Sequence, residues 1–219
     1  MTVASQRRLR AQAASGFGPT TTQAGQWPGA KLRFALFGEV MLVGIVVLIV
    51  ALPLVTIPLA VAVGTRHLTR FLRADGSQLA LVAGDLREGV VGGVGIGCAW
   101  LAVTAVLLLD LLLVASGALP GGVAVGVIVA ALLAVVTVLM VATAAAWTPA
   151  RGWRGAVRVG FATLRTDSVG SLYLLVAAGL VVLFTWMLPP LVVPALGCLC
   201  FAVAAIAVRR AARAARLAD

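Results

Sequence analysis

Positive charge in this chain is confined to four short blocks, which long apolar stretches separate. Two of those stretches, residues 111–150 and 168–208, contain no charged side chain. Because a membrane-spanning helix needs about 20 apolar residues, each stretch is long enough for two spans and a turn. The pattern therefore indicates a polytopic membrane protein. The basic residues of the four blocks are Arg7, Arg8, Arg10, Lys31 and Arg33; Arg66, Arg70, Arg73 and Arg87; Arg151, Arg154, Arg158 and Arg165; and Arg209, Arg210, Arg213 and Arg216.

The composition supports the same class. Hydrophobic residues make up 62% of the chain and charged residues 11%, which is outside the range of soluble globular domains. A net charge of +10 could suit a nucleic-acid partner, but bases held in the loops between spans follow the positive-inside rule. We therefore expect anionic head groups of the lipid bilayer, and no nucleic acid, beside these cations. The abundance of arginine, alanine, valine and glycine is typical of a GC-rich bacterial genome.

The predicted fold class is all-α, a polytopic helical membrane protein of about six transmembrane helices in three hairpins. The predicted spans are 34–52, 56–72, 89–116, the segment from the turn at 120–122 to 147, 169–187 and 191–208. Residues 31–210 form a single transmembrane domain, between a disordered cytoplasmic tail at 1–30 and a short basic cytoplasmic tail at 211–219. We expect a bacterial inner-membrane location with every basic block and both termini in the cytoplasm.

The sequence of the first hairpin allows two topologies. Residues 34–64 would extend roughly 46 Å as one helix at 1.5 Å per residue, which is long for one span and short for two. Pro53 and Pro58 interrupt the segment, and a proline inside a helix kinks or ends it. The alternative is a single kinked span, which would leave the basic N-terminal tail outside the cell.

The third basic block has the clearest helical periodicity in the chain. Four arginines share one face of a predicted helix, and four apolar residues, Trp153, Val157, Phe161 and Leu164, share the opposite face. This arrangement is typical of an interfacial amphipathic helix whose apolar side enters the lipid. A docking helix for a partner protein is the compatible alternative. The residues that would form this interfacial or partner-docking surface are Arg151, Trp153, Arg154, Arg158, Phe161 and Arg165.

Glycines and two acidic residues mark further candidate sites within the spans. Gly89, Gly93 and Gly97 recur every four residues, which predicts close helix packing on that face. Glu39 and Asp110 are ionisable groups inside predicted spans, and such groups normally mark function. We expect a structural role for Glu39, which either reaches the membrane interface or pairs with a nearby arginine, Arg66 or Arg70. We expect Asp110 to be protonated, open to a cavity, or hydrogen-bonded to groups such as Thr104 and Thr185.

No residue pattern predicts an enzyme. His67 is the only histidine, it lies among loop arginines, and no pair of carboxylates shares a predicted site. Cys98, Cys198 and Cys200 all fall in apolar stretches and are interpreted as small buried side chains. We therefore expect no catalytic residue, no metal site and no cofactor.

Three short motifs resemble the YesL-type family, bacterial integral membrane proteins grouped as a domain of unknown function. The motifs are Leu52-Pro53-Leu54-Val55-Thr56-Ile57 before a basic helix, the Leu107-Leu108-Leu109-Asp110 run, and Trp147-Thr148-Pro149 before an arginine-rich segment. The resemblance covers roughly residues 34–210. The first loop, with Gln78-Leu79-Ala80-Leu81-Val82, is less rich in aromatic and basic residues than is typical of that family. The resemblance implies an accessory role near carbohydrate uptake, with transporter subunits as partners.

These observations predict two functions from different classes. The first is a non-enzymatic accessory or regulatory membrane subunit, which uses the glycine face and the amphipathic helix for contacts with transporter subunits or with further copies of itself. The second is a small secondary transporter in which Asp110 carries a proton or binds a cation. An Asp110→Asn variant separates them, because a carrier would lose coupled transport and an accessory subunit would keep its partners.

Overall fold

The structure, a computed structural model, describes residues 29–73, 79–117 and 121–218, with side chains described for 36–73, 80–117 and 121–209. The predicted disordered tail lies outside these residues except for Gly29 and Ala30. The chain divides into a unit Met1–Ala35 and a unit Leu36–Asp219. In the first unit only the start of a helix is described, and every contact discussed below lies within the second.

All regular elements in the described ranges are helical. The helices are α1 (Gly29–Ala51), α2 (Ile57–Arg73), α3 (Leu79–Ala115), α4 (Gly122–Ala146), α5 (Gly152–Thr166), α6 (Ser168–Met187) and α7 (Val192–Ala218), with a 3-10 turn at Pro189–Leu191 before α7. Each predicted helix is found within a few residues of its expected start or end, apart from the start of α3 and the end of α7. Both extend into polar sequence, because helix formation does not require the apolar composition from which the spans were predicted.

Within the described ranges, four helical segments are long and apolar enough to cross a membrane: Ala80–Ala115, Gly122–Ala146, Ser168–Met187 and Pro189–Arg209. The apolar part of α1, Leu36–Ala51, is shorter, at roughly 24 Å. α2 is shorter still and amphipathic. The structure thus agrees with an all-helical membrane architecture with several spans, while the crossing of α1 and α2 stays a prediction.

Helix α2 forms the centre of the helical packing. It contacts α3, α4 and α7, and its residues Ala60 and Leu68 share a buried cluster with Val43 and Val47 of α1. Most of the first three turns of α2 are buried. α1 and α7 approach each other closely because Gly44 and Gly197 each face the backbone of the other helix, which is the usual role of small residues between helices in lipid.

Candidate functional site

Polar side chains collect where the second half of α2 meets α1 and α3. His67 of α2 is only 2% exposed, and its Nε2 lies 2.5 Å from Oε1 of Glu39 on α1. A buried histidine beside a carboxylate is held in one orientation by that contact. Glu39 therefore pairs with His67 in the structure, and the expected arginine partners bind a different carboxylate.

That carboxylate belongs to Asp85, a buried residue of α3. Arg70 binds it with both guanidinium nitrogens: Nη1 lies 2.8 Å from Oδ2 and Nη2 lies 3.1 Å from Oδ1. Arg66 approaches Oδ2 at 3.4 Å through its Nε. Two-point arginine–carboxylate contacts are among the strongest hydrogen bonds in proteins. Asp85 thus joins α3 to α2, as Glu39 joins α1 to α2. We call this group of polar residues, which consists of Glu39, Arg66, His67, Arg70 and Asp85, the ionic layer.

Two buried nitrogen atoms of the ionic layer form no hydrogen bond within the described part of the chain. Nδ1 of His67 and Nη1 of Arg66 are both shielded from solvent without a hydrogen-bond partner there. A cavity of about 10 Å³ lies beside His67, close to the smallest volume that holds one water. The cavity is otherwise lined by apolar side chains and Gly64: Leu42, Val43, Val46, Val63, Gly64 and Val82.

Burial and a nearby charge act in opposite directions on Arg66. Its partly buried position disfavours the charged guanidinium, while the nearby carboxylate of Asp85 stabilises it. An arginine nevertheless stays protonated at neutral pH. Arg66 is also 5.9 Å from the ring centre of Trp147, within the range of a cation–π contact.

Two tryptophans close the site from the side of α4 and α5. The rings of Trp147 and Trp153 stack with their centres 5.5 Å apart. The indole Nε1 of Trp153 donates a hydrogen bond of 2.9 Å to the backbone carbonyl of Gly89 on α3. Trp153 was predicted to enter the lipid; it is instead buried between helices, because Gly92 and Gly93 of α3 leave room for its ring.

This contact leads to a prediction about Trp153. We expect Trp153→Phe to lower the free energy of unfolding by about 1–2 kcal/mol, through the lost hydrogen bond and the smaller ring. The matched control is Trp186→Phe, since Trp186 is 88% exposed. Thermal unfolding of both variants in the same detergent checks the prediction. An equal melting temperature for the two variants would contradict the buried position of Trp153.

The other residues of the predicted amphipathic helix are arranged as two faces of α5. Trp153, Ala156 and Gly160 form the buried face, and a side chain at Gly160 would overlap Thr143 of α4. The arginine face is exposed to the surroundings of the protein, and exposed Phe161 lies at its edge. We call this exposed row the cationic ridge; it consists of Arg151, Arg154, Arg158 and Arg165.

Asp110 lies apart from the ionic layer, in the second half of α3, and is half-buried. Neither of its expected hydrogen-bond partners binds it. Thr185 donates to the carbonyl of Val181, and the hydroxyl of Thr104 has no partner among the described residues. Neither threonine therefore stabilises the carboxyl group of Asp110.

The three glycines of the predicted packing stripe face α2 and the tryptophan pair. A side chain at Gly89 would meet Leu59 and Trp147, one at Gly93 would meet Leu59 and Trp153, and one at Gly97 would overlap the backbone carbonyl of Val55. The stripe thus lies against α2, the turn before it and the two indoles.

Sequence reasoning did not identify Asp85 or His67 as site residues. Asp85 precedes the predicted span 89–116, so the argument from ionisable groups in lipid did not apply to it, and His67 was interpreted together with the loop arginines around it. The available signal was the spacing of Arg66 and Arg70, which puts two cations on one helical face and so calls for a carboxylate on a neighbouring helix. Comparison of this chain with protein-family models, with curated proteins and with solved structures finds no match.

Proposed function

We propose that this protein is a non-enzymatic accessory or regulatory subunit of a bacterial inner membrane, with both termini in the cytoplasm. The observation that carries the proposal is the cationic ridge. Its helix is fixed to the bundle by Trp153, Ala156 and Gly160, so its arginines are presented on a rigid support. Such a surface, whose arginines have no ion pair with an acidic residue among the described residues, is suited to contact with another molecule.

The charge of the ridge defines its partners. No salt bridge joins Arg154 or Arg158 to an acidic residue in the described part of the chain. Lipid phosphates and acidic protein segments both satisfy guanidinium groups. We propose that the ridge lies at the cytoplasmic surface, where anionic head groups and a membrane partner reach it together. The resemblance to the YesL-type family supports a carbohydrate-uptake transporter as that partner, and further copies of this chain are the alternative.

The orientation follows from the basic blocks. Arginine and lysine are retained on the cytoplasmic side of short loops, and all four blocks satisfy this rule when the N-terminal tail, both basic loops and the C-terminal end share one side. α1 and α2 keep this arrangement whether they cross the membrane or turn within it.

One observation favours the alternative function, a secondary transporter. The carboxyl group of Asp110 has no hydrogen bond or ion pair within the described residues, and an ionisable group at this depth often belongs to an ion pathway. The cavity beside His67 is lined by residues of α1 and α2 and by Val82 near the start of α3, and Asp110 does not line it. The accessory reading is therefore the better supported of the two.

Recovery of partners from native membranes tests the proposal. We expect tagged protein extracted in polymer nanodiscs to bring down transporter subunits in constant ratio, and Arg154→Gln/Arg158→Gln/Arg165→Gln to reduce that recovery about tenfold or more. Each lost arginine removes about 1 kcal/mol of electrostatic attraction near an anionic surface. The control is Arg73→Gln/Arg87→Gln, which removes two exposed arginines from the first loop, and Arg154→Gln/Arg158→Gln is the ridge variant of equal charge.

The outcomes of this experiment separate the candidate functions. Equal recovery with both sets of variants would exclude the cationic ridge as the docking surface. Recovery of this chain alone would contradict the accessory function and favour transport through Asp110. Loss of co-purified anionic lipid without loss of protein partners would restrict the ridge to membrane anchoring.

A further inference from the structure

The turn between α1 and α2 exposes apolar side chains. Leu52 is 72% exposed and Leu54 is 56% exposed, and no residue from Ala51 to Pro58 carries a charge. Turns that face water are usually polar, because glycine, asparagine, aspartate and serine stabilise them. This turn is therefore unusual for a connection at an aqueous surface.

The turn also satisfies most of its own backbone hydrogen bonds. The amide groups of Leu52, Leu54, Val55 and Ile57 donate to the carbonyls of Ile49, Ala51, Pro53 and Leu54 respectively. The only polar side chain, the hydroxyl of Thr56, donates to the carbonyl of Val50. A turn in water has no need of such pairing, whereas irregular backbone at membrane depth must have its polar groups satisfied by the protein.

Contacts with α3 indicate how deep in the membrane the turn lies. The carbonyl of Val55 lies against Gly97, in the middle of α3. From Gly97 the helix continues to Ala115, roughly 27 Å further at 1.5 Å per residue. In the other direction Asp85, in the ionic layer, is roughly 18 Å away. These two distances together equal about 45 Å, the thickness of a bilayer with its head groups.

Helices α1 and α2 are too short to extend from the ionic layer across the hydrocarbon core. Glu39 and His67 mark the ionic layer on them, and roughly 15–18 Å of helix separates each residue from the turn. The hydrocarbon core is about 30 Å thick. If the turn reached the outer surface, Arg66, His67 and Arg70 would lie inside the hydrocarbon, where charged groups are rare and costly.

We propose that α1 and α2 form a re-entrant hairpin, which enters from the cytoplasmic side and turns inside the membrane, with Leu52 and Leu54 facing lipid acyl chains. The ionic layer then lies at the cytoplasmic head groups, and the outer end of α3 lies at the opposite head groups. The hairpin leaves the N-terminal tail and the first basic loop on the same side, so it satisfies the charge rule as well as two full spans do.

Spin labels on single cysteines test this proposal. In a background with Cys98, Cys198 and Cys200 replaced by alanine, Leu54→Cys is labelled and the protein is reconstituted into lipid bilayers. Collision rates with oxygen, which concentrates in lipid, and with a water-soluble nickel chelate are measured by electron paramagnetic resonance. Three matched exposed positions calibrate the signal: Leu112→Cys for lipid, Ser116→Cys for the outer turn and Arg73→Cys for the cytoplasmic side.

We expect Leu54→Cys to behave like Leu112→Cys, with high oxygen and low nickel accessibility. In intact cells a membrane-impermeant maleimide should label Ser116→Cys and leave Leu54→Cys unlabelled. High nickel accessibility at position 54 with labelling from outside would overturn the proposal in favour of two full spans. Low accessibility to both reagents would also overturn it, because a protein surface would then cover the turn. Leu52→Cys repeats the measurement if the variant at position 54 does not accumulate.

Discussion

Replacement of Asp85 by asparagine should lower the free energy of unfolding by about 3 kcal/mol or more. Asp85 is buried and is the carboxylate bound by both Arg66 and Arg70. Removing one partner of a buried ion pair leaves its charge uncompensated, which typically costs 3–5 kcal/mol. Here the change leaves two partly buried guanidinium groups without their carboxylate, so we expect a loss in the upper part of that range. Denaturant titration in mixed micelles, followed by tryptophan fluorescence, measures the effect.

Two further variants distinguish lost pairing from a general effect of charge. Glu88→Gln removes an exposed carboxylate three residues away and should change stability by less than about 0.5 kcal/mol. Asp85→Leu/Arg66→Met/Arg70→Leu replaces the whole cluster by apolar side chains and should recover most of the stability lost in Asp85→Asn. Equal stability of Asp85→Asn and Glu88→Gln would show that the arginines find other partners and that Asp85 does not join α3 to α2.

The ion pairs of the ionic layer show that the sequence does not predict which side chains pair with each other. Arg66, Arg70 and Glu39 were all recognised, but Glu39 was assigned to the wrong partner. Successive residues of a helix point about 100° apart, so His67 faces α1 while Arg66 and Arg70, one turn apart, face α3. Choosing among them requires knowing which helix lies on which side of α2. Apolar periodicity does not contain that information.

The amphipathic helix α5 likewise has a feature that the sequence does not predict, namely what covers its apolar face. Its two faces were predicted from the spacing of four arginines, and the structure has an arginine face and a buried face on α5. Periodicity does not reveal what covers an apolar face, because lipid and protein are equally apolar environments. Trp153 was expected in lipid and is buried against Gly89 and Trp147. By contrast, the helices themselves could be predicted, since uncharged stretches and prolines limit where a span begins and ends.

Two glycines of α3, only two residues apart, should respond in opposite ways to the same substitution. A methyl group at Gly97 would overlap the backbone carbonyl of Val55, and that carbonyl cannot rotate away as a side chain can. Overpacking typically costs 1–3 kcal/mol, and a backbone neighbour favours the upper end, so we expect Gly97→Ala to destabilise the protein by about 2–3 kcal/mol. Gly95 has no neighbouring atom within 4 Å. Gly95→Ala should therefore stabilise the helix by about 0.5–1 kcal/mol.

Unfolding of the two variants in the same micelles measures the difference, which should reach about 3 kcal/mol. The control is internal, because both changes add one methyl group to the same helix and differ only in what that group meets. If Gly97→Ala were as stable as Gly95→Ala, the turn before α2 would not lie against the middle of α3. The depth assigned to that turn, and with it the re-entrant path of α1 and α2, would then lose its main geometric support. A large difference, by contrast, would place the apolar turn beside the middle of α3, well short of the outer end of that helix. At that depth only lipid or protein can surround the turn.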